Sequence, residues 1–289
     1  MTDVQRYAAF TTDPSGGNPA GVVLDAEELD EPTMQRIAAD VGYSETAFLS
    51  PIDPAARRYG LRFFSPLAEV AFCGHATIAT AVALAERDGV GDLVFETPAG
   101  TIEVRTDKQD NIVASLTSVP TRSRPATDAE LDRTLDALGW SCGDLDPAWP
   151  PHVAFGGNAH LVLATRSRER LACLDYDFDR LADVMREHGW TTVHIFWQQD
   201  AEIVHARNPF PIGGVVEDPA TGAAAAAFGG YLRTLGKMSS PSRITIVQGQ
   251  DMGRRSELVV SIDPDDPQVT VTGAAVPISG SGDLDSRPG

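Results

Sequence analysis

The sequence predicts an α+β fold in two pseudo-repeated halves, each a mixed, mainly antiparallel sheet or barrel curled around one central helix. Two Ala-rich stretches carry no charge, His75–Ala85 and Ala220–Leu232, and a helix apolar all round is one buried on all sides. Each half holds several short strand-like runs but only one or two other helical ones, too few for alternating βαβ units. Landmarks also recur in order: Asn18-Pro19-Ala20-Gly21 is echoed by Asn158-Ala159-His160-Leu161, and Arg62 by Arg207. Gly74 is echoed by Gly222, and the run from Leu29 through Phe48 by that from Leu181 through Phe196. Four ordered echoes indicate duplication, with the two central helices aimed at a shared cleft.

In the first half, Arg6–Thr11 and Ala20–Leu24 read as strands around the turn-rich Asp13–Asn18. Pro32–Val41 reads as a helix with Pro32 in its first turn and Gly42 at its end, and Ser44–Leu49 as a strand. Leu61–Phe64 leads through Cys73-Gly74-His75 into the first Ala-rich helix. Strands follow at Leu93–Glu96, Thr101–Thr106 and Ile112–Leu116. Pro120–Ala126 is the linker candidate, dividing the chain into 1–120 and 127–278, with 279–289 as a flexible tail.

The second half opens with a helix at Asp128–Leu138 and strands at Val153–Phe155 and from Asn158. A helix at Phe178–Glu187 and strands at Thr192–Trp197 and Glu202–Arg207 precede the second Ala-rich helix. Strands at Arg243–Gln248, Glu257–Ile262 and Gln268–Thr272 complete it.

Composition narrows the function. The 289 residues suffice for two ordinary domains, and 42% hydrophobic with 22% charged residues is globular. A formal net charge of −18 with no basic stripe argues against nucleic acid as partner. A small anionic substrate must then be held by local devices such as helix starts, not by the global field. The N-terminus lacks an apolar core of signal-peptide length, and the longest uncharged helical run falls short of a membrane span. Three cysteines without CxxC spacing fit a reduced, cytoplasmic, metal-free protein. Gly16-Gly17 and Gly213-Gly214 are turn glycines and form no phosphate loop.

The chemistry concentrates at the helix starts. Glu45 opens an otherwise apolar strand, where partial desolvation suits a carboxylate that accepts and returns a proton; the alternative is a solvated strand-start glutamate. His75 lies in the first helical turn, where the dipole keeps imidazole neutral and able to donate to an enolate; the alternative is a packed histidine. Asp218, just ahead of Pro219 and the second helix, is either an N-cap or an acid orienting His75 or a substrate amine. Cys73 is answered in the second half by Thr221, which cannot serve as a second thiol base, so Cys73 reads as a buried structural residue. Arg62 and Arg207 read as ion-pair members outside the site, and His160, His194 and His205 as packed or surface residues.

Ser44-Glu45-Thr46-Ala47-Phe48, Cys73-Gly74-His75-Ala76-Thr77, Glu217 through Gly222, and Gln248-Gly249 with Met252-Gly253 resemble the signature segments of the phenazine-biosynthesis (PhzF-like) isomerases. The resemblance runs from about Tyr7 to Ile262 in the family's order. It implies the diaminopimelate-epimerase fold and a cofactor-independent isomerase, usually a homodimer, with its site between the halves and a small carboxylated substrate. Carried over residue by residue, it implies Glu45 as general acid/base with His75 and Asp218 catalytic. Ser44, Gly74 and Gly222 then contact substrate. Relatives generally carry Ser after the Thr-Gly of the second helix; here Ala223 offers only its backbone N–H, which puts the substrate's shape in question more than the fold. Two other readings stay open: an amino-acid epimerase or racemase using Cys73, and a catalytically silent small-molecule-binding homologue.

Overall fold

The computed structural model describes residues 2–278, so the expected tail at 279–289 lies outside the described residues. The chain forms two compact units, residues 2–114 with 274–278, and Ser115–Gly273. It leaves the first unit within one strand and re-enters it within the last.

In the first unit the strands are β1 (Gln5–Ala9), β2 (Asn18–Val23), β3 (Thr46–Asp53), β4 (Arg58–Phe64), the two-residue β5 (Glu69–Val70), β6 (Gly91–Thr97), β7 (Gly100–Lys108) and β8 (Ile112–Thr117). The last strand of the chain, β18 (Val269–Pro277), pairs antiparallel with β1 through Ala275, Val276 and Pro277. The order β1-β2-β3-β4-β6-β7-β8-β18 thus returns to β1 and closes a ring of eight strands, with β5 appended to β4.

Helix α2 (Gly74–Asp88) packs against β1, β2, β3 and β7, and every residue from His75 to Ala85 is buried. The uncharged run dictates this, and its two threonines need no water: Thr77 Oγ1 donates to Cys73 O and Thr80 Oγ1 to Ala76 O, both at 2.7 Å. Helix α1 (Glu31–Val41) starts at the cap Asp30, whose carboxylate accepts from Thr33 N–H. Its Met34 and Ala38 join Val23, Phe48 and Phe64 in a separate cluster.

The second unit repeats this plan. Its strands are β9 (Arg122–Pro125), β10 (His152–Phe155), β11 (Ala159–Ala164), β12 (Trp190–Gln198), β13 (Ile203–Arg207), the short hairpin β14 (Pro209–Phe210) and β15 (Val215–Glu217), β16 (Ser242–Gln248) and β17 (Ser256–Ile262). They run in the order β18-β17-β16-β13-β12-β11-β10-β9. Pairing directions match strand for strand: β2–β3 and β11–β12 are parallel, β3–β4 and β12–β13 antiparallel, β4–β6 and β13–β16 parallel. Helix α6 (Gly222–Thr234) packs on β9, β10, β11 and β17. Helices α3 (Asp128–Ala137) and α5 (Phe178–His188), with the short α4 (Arg168–Ala172) between them, bury Leu135, Leu171, Leu181 and Met185 with Trp190 in a second core cluster.

The linker candidate Pro120–Ala126 contains strand β9, paired with β10 from Arg122↔Phe155 to Pro125↔His152. Two prolines and two exposed arginines disguise it, a composition that the last strand in the order tolerates. No helix among the described residues is long and apolar enough to cross a membrane.

Two histidines are sealed in the second unit. His160 Nδ1 lies 2.8 Å from Thr192 Oγ1 and His194 Nδ1 lies 3.0 Å from Asn208 Oδ1, while both Nε2 atoms are buried without a hydrogen-bond partner. Burial holds His160 down to about 3 and His194 to about 4. A folded-state pKa below the unfolded value makes their contribution fully present above pH ~6.5 and progressively lost as pH falls toward 4. Both rings are still neutral in the fold at pH 5, so each is expected to cost the fold about 2 kcal/mol there relative to pH 7.5. Urea midpoints at the two pH values check this; equal midpoints contradict it.

Candidate active site

Glu45 stands one residue ahead of β3, anchored through its backbone: its carbonyl accepts from Gly21 N–H at 3.2 Å as β2 and β3 begin their parallel register. Gly21 is required there, because a Cβ would meet Thr46 Oγ1 at 2.5 Å. Across from it, Cys73 is the N-cap of α2 in extended conformation and makes no side-chain cap. The first-turn N–H groups at Gly74 and His75 have no acceptor within the helix, and the positive end of its dipole lies there.

Four predicted or weighed residues of the first unit come together. Glu45 Oε2 is 3.5 Å from His75 Nε2 and accepts from Cys73 Sγ at 3.5 Å. Cys73 Sγ lies 3.3 Å from His75 Nδ1, and Ser44 Oγ lies 3.4 Å from His75 Nε2. The His75 side chain is 7% exposed and that of Glu45 18%, so the carboxylate is the more accessible member of a largely buried group. Such a group can take a proton at the carboxylate, pass one to the imidazole, and place helix amides beside a developing negative charge. Cys73, read from sequence as structural, shares this cluster; the signal was its place immediately ahead of Gly74-His75 at a helix start.

In the second unit, Asp218, Gly222 and Ala223 lie on and beside the start of α6. Its N-cap is Thr221, not Asp218, so the capping alternative for Asp218 does not hold. The Asp218 carboxylate instead accepts from Thr221 Oγ1 at 2.5 Å, and Asp218 N–H donates to Asn208 O at 3.0 Å. The intervening Pro219 and Ala220 put Asp218 three residues ahead of the cap, too far back to cap the first turn.

Gln248, read from the sequence in a signature segment but given no site role there, holds this turn. Its Nε2 donates to Asp218 O at 2.6 Å and Thr221 Oγ1 at 3.1 Å, and its Oε1 accepts from Thr221 N–H at 3.3 Å. Gly249 follows at φ +71°, where a Cβ would meet Pro219 O at 2.8 Å. The Gln-Gly pair at a strand end was the available signal. Arg62 and Arg207 each pair with a carboxylate of their own unit, Arg62 with Glu69 and Glu31, Arg207 with Glu217.

Relatives matching nearly the whole of this chain are named isomerases, and the chain is an enzyme of that class. An uncharacterized isomerase of Bacillus subtilis (strain 168) is 30% identical, over 95% of this chain and 96% of the relative. The trans-2,3-dihydro-3-hydroxyanthranilate isomerase of Pseudomonas chlororaphis is 32% identical, over 95% and 94%. The crystal structure of the Bacillus anthracis phenazine biosynthesis protein, PhzF family, matches with a TM-score of 0.87 at 27% identity, over 96% of this chain and 97% of that one. Residues 7–280 match the family described as phenazine biosynthesis-like protein, and the chain belongs to that family.

Proposed function

We propose that this isomerase moves a proton on a small carboxylated substrate, with Glu45 as general acid and base. The observation that carries the reading is the partly exposed Glu45 carboxylate set 3.5 Å from the buried His75 imidazole at the start of α2. Glu45 removes a proton from carbon, the first-turn N–H groups at Gly74 and His75 stabilise the resulting enolate, and Glu45 or His75 returns the proton at another carbon. Ser44 steadies His75 and contacts the substrate. In the second unit, Asp218 supplies a held carboxylate, and the N–H groups of Gly222 and Ala223 offer a seat for an anionic group. Similarity to an enzyme named for trans-2,3-dihydro-3-hydroxyanthranilate supports a cyclic or short carboxylate as substrate class. Ala223 lacks a hydroxyl, which favours a substrate differing in its polar pattern.

The contact of Cys73 Sγ with both Glu45 and His75 supports a second reading, thiol-based exchange at the α-carbon of an amino acid. Incubation in D2O with trans-2,3-dihydro-3-hydroxyanthranilate and with a set of amino and hydroxy acids tests the proposal. The expected result is an isomer carrying solvent deuterium on carbon; exchange confined to the α-carbon with only inverted configuration favours the thiol reading. No exchange in any of these compounds counts against both.

A further inference from the structure

The same three side chains have a second capability. Among the described residues, Glu45, Cys73 and His75 are the one set of three or more such side chains whose ligating atoms all lie within 4.8 Å of one another. Using His75 Nε2, the triangle measures 3.8 Å from Sγ to Nε2, 3.5 Å from Nε2 to Oε2 and 3.5 Å from Oε2 to Sγ. A tetrahedral zinc ion, with bonds of about 2.3 Å to sulfur and about 2.1 Å to nitrogen and oxygen, sets its ligands about 3.4–3.6 Å apart. The side chains therefore need to shift by only a few tenths of an ångström to receive one.

The donor set selects the metal. One thiolate, one imidazole and one carboxylate suit zinc, whereas magnesium and calcium take oxygen alone. Three protein ligands leave a fourth position for water or an anion, and Ser44 Oγ, 3.4 Å from the same imidazole nitrogen, is a further oxygen in the neighbourhood. The partly exposed Glu45 carboxylate gives the ion a way in. Cys142 and Cys173 are exposed and stand outside the group.

We propose that Glu45, Cys73 and His75 bind a zinc ion reversibly and that the metal switches the active site off. On binding, the Cys73 S–H bond breaks, a zinc–sulfur bond forms and the proton leaves to solvent; no electron is transferred. Glu45 Oε2 and His75 Nε2 each give a lone pair to the metal, so those two atoms can no longer accept a proton and the cation weakens the remaining carboxylate oxygen as a base. Binding stands on geometry alone, while the inhibitory consequence rests on Glu45 and His75 acting as proposed above.

Cobalt(II) alone is the probe, added anaerobically to the full chain near neutral pH. One ion per chain is expected, with a thiolate-to-cobalt charge-transfer absorption and visible bands of four-coordinate intensity, all displaced by zinc. Cys73→Ser abolishes the charge-transfer absorption; Glu45→Gln keeps it but weakens binding at least ~10-fold. Replacing Cys142 and Cys173 together by Ser changes neither. Absence of the absorption, its survival in Cys73→Ser, or its loss in the double replacement overturns the metal site. A chain that binds cobalt yet exchanges no carbon-bound hydrogen refutes the proposed chemistry and leaves the metal site standing. One that exchanges hydrogen but binds no cobalt refutes the metal site alone, and exchange undiminished by saturating zinc refutes the inhibition.

Discussion

Glu45→Gln is expected to lower kcat by ~10³-fold, in the middle of the range for loss of a positioned general base. The amide keeps the shape of the side chain and still accepts from Cys73 Sγ, and the anchor from Gly21 N–H to the residue 45 carbonyl is made by backbone and survives. The folded state is therefore expected to change by less than about 1 kcal/mol, so that lost turnover reads as lost chemistry. Because the proton moves only in the transition state, kcat and kcat/KM fall together and KM stays near its original value. A rise in KM alone would assign Glu45 to binding, and turnover retained within tenfold removes it as the base.

Glu217→Ala is expected to destabilise the protein by about 3–5 kcal/mol, the cost of leaving a guanidinium buried without its carboxylate. Arg207 reaches Glu217 through both Nε at 3.0 Å and a terminal nitrogen at 2.5 Å, and donates to Ala172 O at 2.8 Å. Their side chains are 9% and 5% exposed. The matching pair of the first unit, Arg62 with Glu69, is bidentate too, but its side chains are 36% and 30% exposed. Water screens and replaces that pair, so Glu69→Ala is expected to cost less than about 1 kcal/mol. Urea unfolding of both variants measures the contrast. Replacing Arg207 and Glu217 together by Met is expected to recover most of the loss, because no charge is then stranded. Equal losses at the two positions contradict the argument that burial, not the pair itself, sets the penalty.

What could be read from the sequence was whatever the chain writes locally. The runs His75–Ala85 and Ala220–Leu232 are uncharged over several turns, and such a run has nowhere to go but inside a sheet. The echoes of Asn18 by Asn158 and Arg62 by Arg207 mark the ends of β2 and β11 and positions in β4 and β13 that share neighbours and pairing directions. Glu45 was singled out by its place at the start of an apolar strand together with the Ser44-Glu45-Thr46-Ala47-Phe48 resemblance.

What depends on distant partners was not legible. The strand read at Gln268–Thr272 runs on to Pro277 as β18, through Gly273-Ala274-Ala275, which shows no strand alternation of its own and owes its conformation to β1. Strand β9 hides in a stretch composed like a linker because its partner, not its composition, makes it a strand. The hold of Gln248 on Asp218 and Thr221 joins residues about thirty positions apart in sequence, so the Gln-Gly pair marks the position without showing what it holds. The place of Cys73 ahead of Gly74-His75 marks a helix start, but its contact with Glu45, twenty-eight residues away, shows only in the structure.

The central claim is that a carboxylate, and not the neighbouring thiol, moves the proton. Deuterium wash-in from D2O, followed by NMR on one substrate with the wild-type chain, Glu45→Gln and Cys73→Ser side by side, tests it most directly. The account predicts that Cys73→Ser exchanges carbon-bound hydrogen within about tenfold of the wild-type rate while Glu45→Gln falls by ~10³-fold. Exchange that persists in Glu45→Gln and vanishes in Cys73→Ser would contradict it.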